Sequence, residues 1–168
     1  SLSPNAALVD ESAEQLKLNY HKARAAWHVK SFGSTLADVG AGNASTDTIA
    51  LQSAMDSGEI ISITGAILHV NDAIDVTSAG ANIIGDNATR VGVNASSKIV
   101  VDDDALTKLF NVQQPNFEAS GFFVECGSSN TATTLFHFER SPGSASDIDA
   151  EIENIGCEGG AKVFHVYG

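Results

Sequence analysis

The chain has 168 residues, is 43% hydrophobic and has a mean hydropathy of +0.02, which fits one folded domain with a core and excludes a disordered chain. No apolar run approaches the ~18 residues a membrane span needs, and no signal peptide opens the sequence, so no membrane partner is expected. A net charge of −12 with only nine Lys and Arg, none in a run, argues against nucleic acid and suits a partner that is neutral or carries cations.

The first predicted element covers residues 1–27. Its apolar positions are Leu2, Ala6, Val9, Ala13, Leu16, Tyr20, Ala23 and Trp27, in unbroken steps of four and three. That is the a/d seam of a heptad repeat, with Glu11, Glu14, Lys17, Lys22 and Arg24 outside it. Pro4 is tolerated only in a first turn, so the helix proper begins near Asn5. One reading is an amphipathic helix packed on its own domain; the other is a self-associating coil. The narrow seam and the lack of helical partners downstream favour the coil. Tyr20 and Trp27 at a positions are bulky, which favours a homotrimer over a tight dimer. Fewer than four heptads is marginal alone, so such a neck leans on the rest of an oligomer.

Residues 28–58 read as a capping segment. His28–Gly33 is a short strand stopped by Gly33, followed by a loop through Gly40, Gly42, Asn43 and Ser45. Thr46 or Asp47 then supplies an N-cap for a helix to Ser57, with Gly58 as its stop. Ala50, Leu51, Ala54 and Met55 make one apolar face on it.

From Glu59 onward short β-prone runs succeed one another, punctuated by Gly, Asn, Asp and Ser. They are Ile60–Ile63, Ile67–Val70, Ala73–Val76, Asn82–Ile84, Lys98–Val101, Leu109–Val112, Phe117–Cys126, Leu135–Phe138, Ile148–Cys157 and Val163–Tyr167. Two registers recur. At an offset of 31, Phe117 falls on Ile148, Ala119 on Ala150, Val124 on Ile155 and Cys126 on Cys157. Each copy alternates, breaks phase by one residue and resumes, as a corner between two strands requires. Phe110-Asn111-Val112, Phe136-His137-Phe138 and Phe164-His165-Val166 recur at 26 and 28. Such periods, built from strands and turns alone, point to a parallel β-helix rather than a sandwich. Cys126 and Cys157 then sit one rung apart on an inward face, which predicts two buried, reduced thiols. A disulfide is the alternative, disfavoured by adjacent-rung geometry.

The run Ser31-Phe32-Gly33, followed after the loop by Asp47-Thr48-Ile49-Ala50-Leu51-Gln52-Ser53-Ala54-Met55, resembles the opening sequence of pectate-lyase-like β-helix proteins. There a strand ending Phe-Gly-Ala and a Gly-rich loop lead into Asp-Thr-x-x-x-Gln-x-Ala on a capping helix. The match lies at Phe32, Gly33, Asp47, Thr48, Gln52 and Ala54; Ser34 and Thr46 depart from it, and the loop is longer. Ile83-Ile84-Gly85-Asp86-Asn87-Ala88 resembles the next turn of that family. The resemblance spans residues 29–168, weakest over Arg90–Ser97, and implies an all-β, right-handed parallel β-helix. The expected organisation is a neck over 1–27, then a capping segment and first rungs over 28–168.

The family includes secreted pectinases and bacteriophage tailspikes. A heptad neck before the β-helix resembles a tailspike, which implies a homotrimer on a virion tail, extracellular, contacting virion tail proteins and a bacterial surface polysaccharide such as capsule or O-antigen. The implied activity is recognition and depolymerisation by hydrolysis or lysis. The alternatives are a non-catalytic structural or adhesive fibre and a secreted pectinase-like enzyme.

The residues name no catalytic or binding group, no metal site and no cofactor. Asp102-Asp103-Asp104 cannot all face one cation from a strand, so a solvated turn is expected. Asp147, Asp149, Glu151 and Glu153 alternate with inward Ile148, Ala150 and Ile152 and point outward, as a charged face or a sugar-binding strip. His137 and His165 take equivalent outward places after Asn111, as a surface ladder or a carbohydrate contact. Gly40-Ala41-Gly42 lacks the flanking elements of a phosphate cradle. In the resembling family the catalytic acids come from later rungs, which implies an active site beyond this chain. The last run, Val163–Tyr167, opens a rung without a closing cap, and the expectation is that the chain is the front part of a longer protein.

Overall fold

The computed structural model describes residues 26–29, 44–86, 96–140, 148–160 and 162–167. Its elements in chain order are β1 (Trp27–His28), α1 (Ala44–Asp56), β2 (Ile60–Ser62), β3 (Ile67–Val70), β4 (Ile74–Val76), β5 (Asn82–Ile84) and β6 (Lys98–Val101). They continue as β7 (Lys108–Val112), β8 (Phe117–Ser120), β9 (Phe123–Cys126), β10 (Thr134–Glu139), β11 (Ala150–Glu153), β12 (Gly156–Glu158) and β13 (Lys162–Tyr167). All strand pairs among them are parallel and fall into three sheets, β1-β2-β5-β8-β11, β3-β6-β9-β12 and β4-β7-β10-β13. The chain visits the three sheets in turn and then starts again. Strands β2–β4, β5–β7, β8–β10 and β11–β13 therefore form four rungs, an all-β fold of parallel β-helix type.

Alternation explains what fills the centre. Residues of one parity face inward on each strand, and parallel pairing stacks like parity on like. The first sheet contributes the column Ile61, Ile83, Ala119, Ile152, and the second Leu68, Ile99, Val124, Cys157. The third contributes Ile74, Phe110, Phe136 and Phe164. Phe110 and Phe136 stack with ring centroids 5.5 Å apart and planes 9° from parallel; Phe136 and Phe164 follow at 5.9 Å. Phe110 and Phe136 are fully buried, which stabilises each by about 1.5–3 kcal/mol through removal of apolar surface from water.

On the third and fourth rungs the chain turns from the first sheet to the second within two residues. Gly121, at φ +76°, makes that corner on the third rung and Asn154, at φ +50°, on the fourth. This left-handed conformation suits Gly and is tolerated by Asn. Beside Gly121 on the second rung stands Gly85, where a Cβ would collide with the Gly121 carbonyl.

The helix α1 closes the first rung. Its apolar face of Ala50, Leu51, Ala54 and Met55 is buried in the core, and Gly58, at φ +67°, ends the turn after it. Its polar side chains occupy the backbone groups that a preceding rung would have paired. Asp47 Oδ2 accepts from the His69 N–H at 3.0 Å, and Thr48 Oγ1 accepts from the Asn71 N–H at 3.1 Å. Gln52 behaves as a surrogate peptide: its Oε1 accepts from the Asp75 N–H and its Nε2 donates to the Asp75 carbonyl, both at 2.8 Å. The edges of β3 and β4 are thus satisfied by side chains.

Several expectations change. The heptad seam of the sequence runs to Trp27, but Trp27 and His28 form β1, in register with Ile61 and Ser62, so the last seam position is strand rather than helix. The rest of the neck, residues 1–25, lies outside the described residues, as do Phe32, Gly33, Gly40-Ala41-Gly42 and most of Arg90–Ser97. The cap helix begins at Ala44, not after Thr46 or Asp47. Asp47 lies in its first turn and caps the neighbouring strand instead. The registers at 26 and 28 hold, pairing Phe136 with Phe110 and with Phe164. The offset of 31 does not: Ala150 pairs with Phe117 and Cys157 with Val124, an offset of 33. The corner decides it, because the left-handed residues Gly121 and Asn154 must superpose, and matching cysteine to cysteine would separate them. Cys126 is buried as expected, whereas Cys157 is exposed on the last rung; neither is in a disulfide.

Candidate functional site

The outward residues of the first sheet line a series of open depressions. Asn82, Glu118 and Glu151 stand in register on successive rungs, and Ile84, Ser120 and Glu153 form the adjacent row. Asn82 is buried and its Nδ2 donates to Glu118 Oε2, leaving its Oδ1 without a hydrogen-bond partner in the structure. The carboxylate dictates this orientation, since the reversed amide would set oxygen against oxygen. Glu118, Glu151 and Glu153 are exposed. The Glu151 carboxyl is held above its ordinary value of 4.5, first by the charge of Glu153, then by a hydrogen bond with Glu153, then by Glu118.

Three adjoining depressions follow these rows. The largest, about 230 Å3, lies at the corner between the first and second sheets and is lined by Thr64, Gly85, Asp86, Ser120, Glu153 and Asn154 among others. It shares Ser120 and Glu153 with a second of about 200 Å3, which adds Glu118 and Glu151. A third of about 100 Å3 continues to Asn116 and Asp149. Among the described residues no lysine or arginine lines any of them. Asp149, Glu151 and Glu153 are exposed as expected, while Asp147 lies outside the described residues.

The other polar groups are engaged with one another. On the third sheet Asp75, Asn111, His137 and His165 are in register. Asn111 Nδ2 donates to Asp75 Oδ1 at 2.7 Å, and Lys108 Nζ reaches Asn111 Oδ1 at 3.3 Å. Glu139 takes Lys108 and His137 Nε2 at 3.2 Å each, and its carboxyl is lowered chiefly by the Lys108 hydrogen bond. His137 and Asn111 are buried, so they are not the open surface ladder their outward parity suggested. On the second sheet Lys98 pairs with Glu125 at 2.9 Å, and His69 Nδ1 meets Asp102 Oδ2 at 3.1 Å. Asp103 and Asp104 belong to a turn closed by the Leu106 N–H on the Asp103 carbonyl, with Asp103 Oδ1 accepting from the Ala105 N–H, while the Asp102 N–H still donates to the Val70 carbonyl. Among the described residues no three His, Cys, Asp or Glu are arranged to hold a metal, and no helix is long and apolar enough to cross a membrane.

Chemically, the first-sheet face offers carboxylates, hydroxyls, amides and backbone groups to a polar ligand. Hydrolysis of a glycosidic bond needs two carboxyls roughly 5–10 Å apart on opposite sides of the bond. Here Glu151 and Glu153 lie on one strand, both in water, with Glu118 on the next. Pattern alone does not point to Glu118 or Asn82, because their partners lie 33 to 36 residues away, one rung along and across connections of unequal length. Compared with protein-family models, with curated proteins and with solved structures, the chain matches none.

Proposed function

We propose that the chain is the N-terminal part of a bacteriophage tailspike that recognises a bacterial surface polysaccharide, as a homotrimer joined through residues 1–25 and attached to virion tail proteins. The observation that carries this reading is the capped parallel stack itself, in which Asp47, Thr48 and Gln52 close the first rung. These are residues through which the sequence resembles pectate-lyase-like proteins. A stack of rungs repeats its outward side chains at a spacing of ~4.8 Å, a regular surface on which units of a repeating polymer can lie. The chain is expected to bind without cleaving, since Glu118, Glu151 and Glu153 share one face of one sheet and Asp86, the carboxyl that flanks the groove with Glu153, is engaged by the Ser96 and Ser97 hydroxyls.

The second reading is a structural or adhesive fibre without catalysis, favoured by the internal pairing of the third-sheet ladder. The test is to immobilise the 168-residue chain and pass a panel of capsular and O-antigen polysaccharides over it, assaying the eluate for new reducing ends and unsaturated products. Retention of at least one polymer without new ends is expected. Robust cleavage, or retention of none, overturns the proposal.

A further inference from the structure

Resting on the polysaccharide reading, we infer that the corner groove of the first sheet takes an uncharged sugar unit and discriminates against uronic-acid polymers. The groove crosses rungs, with Thr64 from the first, Gly85 and Asp86 from the second, Ser120 from the third, and Glu153 and Asn154 from the fourth. Two hydroxyls, an amide and two carboxylates line it. Sugar hydroxyls donate and accept, and this set supplies both functions without demanding a ligand charge. At about 230 Å3 it is below the roughly 300–1,000 Å3 of a site that encloses a drug-sized ligand, so it suits one unit of a chain that continues past it. The run of depressions over Ser120, Glu118 and Asp149 gives such a chain a path across the sheet.

Charge sets the class. Glu153 flanks the groove, Glu118, Glu151 and Asp149 line its continuation, and among the described residues no basic side chain lines either. The crowding already works against ionisation of Glu151. A uronate laid on this face would add a negative charge every repeat within the ~8 Å over which charges act at physiological ionic strength. A neutral polymer meets no such opposition.

Each uronate-containing capsular polysaccharide of the panel is used in two forms, native and carboxyl-reduced, the second carrying neutral hexoses in the same linkages. Neutral panel members complete the set. The intact chain is expected to bind a neutral or reduced polymer at least about tenfold more tightly than the native acidic form, with the gap closing in high salt. Ser120→Gln, which fills the groove, is expected to weaken neutral-polymer binding by about tenfold; Thr64→Gln does the same from the opposite wall should the first variant fail to melt cooperatively. Glu118→Gln with Glu151→Gln is expected to narrow the gap between native and reduced polymers. Native uronate polymer bound as tightly as its reduced form overturns the inference and leaves polysaccharide recognition standing. So does neutral-polymer binding that survives both groove-filling variants in folded protein. Binding of no polymer in any form overturns the recognition reading and this inference with it.

Discussion

Cys126 and Cys157 differ in the rung they occupy, the third and the fourth. Cys126 is covered by the fourth rung, with Gly159 lying so close that a Cβ there would press on the Cys126 carbonyl. Burial, then the neighbouring Cys157 and two carboxylates, push its thiol up to about 11. The thiolate is the reactive form, so at pH 8 the native chain is expected to titrate with one fast equivalent of an aromatic disulfide, from Cys157. The second equivalent appears only on denaturation. Two fast equivalents, or a Cys157→Ser variant that retains the fast one, would contradict this assignment. The residue-level reading of the sequence survives its register error for a physical reason. Offsets of 31 and 33 differ by two, one full period of a strand, so each side chain keeps its face. The outward placement of Glu151 and Glu153 and the inward parity of both cysteines therefore stand, although their neighbours across the rung were wrong.

The cap helix gives the clearest element-scale link between sequence and structure. Ala50, Leu51, Ala54 and Met55 announce an apolar face, and Gly58 announces a stop. What Asp47, Thr48 and Gln52 do is not legible locally, because their partners are 22 or 23 residues away on strand edges. Replacing Gln52 by Leu removes both bonds to Asp75 and is expected to cost about 1–2 kcal/mol, these bonds being exposed. Asp47→Ala strands the buried His69 N–H and costs about 1–3 kcal/mol. Urea unfolding measures both; an Asp47→Ala midpoint equal to the parent would show that another group takes over that edge. The candidate site was less legible than the cap. Its groove is assembled from corners of four rungs whose connecting loops differ in length, so no fixed spacing in the chain marks it.

Across the whole molecule, rung adheres to rung through apolar columns inside and through charges outside. The outer charges pull both ways. Glu139 is stabilised by Lys108 and His137, and its folded carboxyl lies below the ordinary 4.5. That contribution is present above pH 4.5 and is lost as pH falls through the lowered value. Glu151 lies above 4.5 because of Glu153, so the folded chain holds that proton more readily than the unfolded one. Its penalty is fully felt at neutral pH and relieved as pH falls through the raised value toward 4.5. Glu153→Gln is accordingly expected to raise the thermal midpoint at pH 7, with the gain shrinking to nothing near pH 4. A gain that persists at pH 4 would mean that the substitution acts by packing rather than charge.

The side-chain closure of the first rung also gives the stack a direction in time. A row of units bound only to their neighbours comes apart from whichever end is cheapest to detach. Asp47, Thr48, Gln52 and the apolar face of α1 pin the first rung at its outer end. Thermal fluctuation therefore works like a zip with one end sewn shut. Opening does not begin at the helix, and a rung that recloses beside it finds a template already standing.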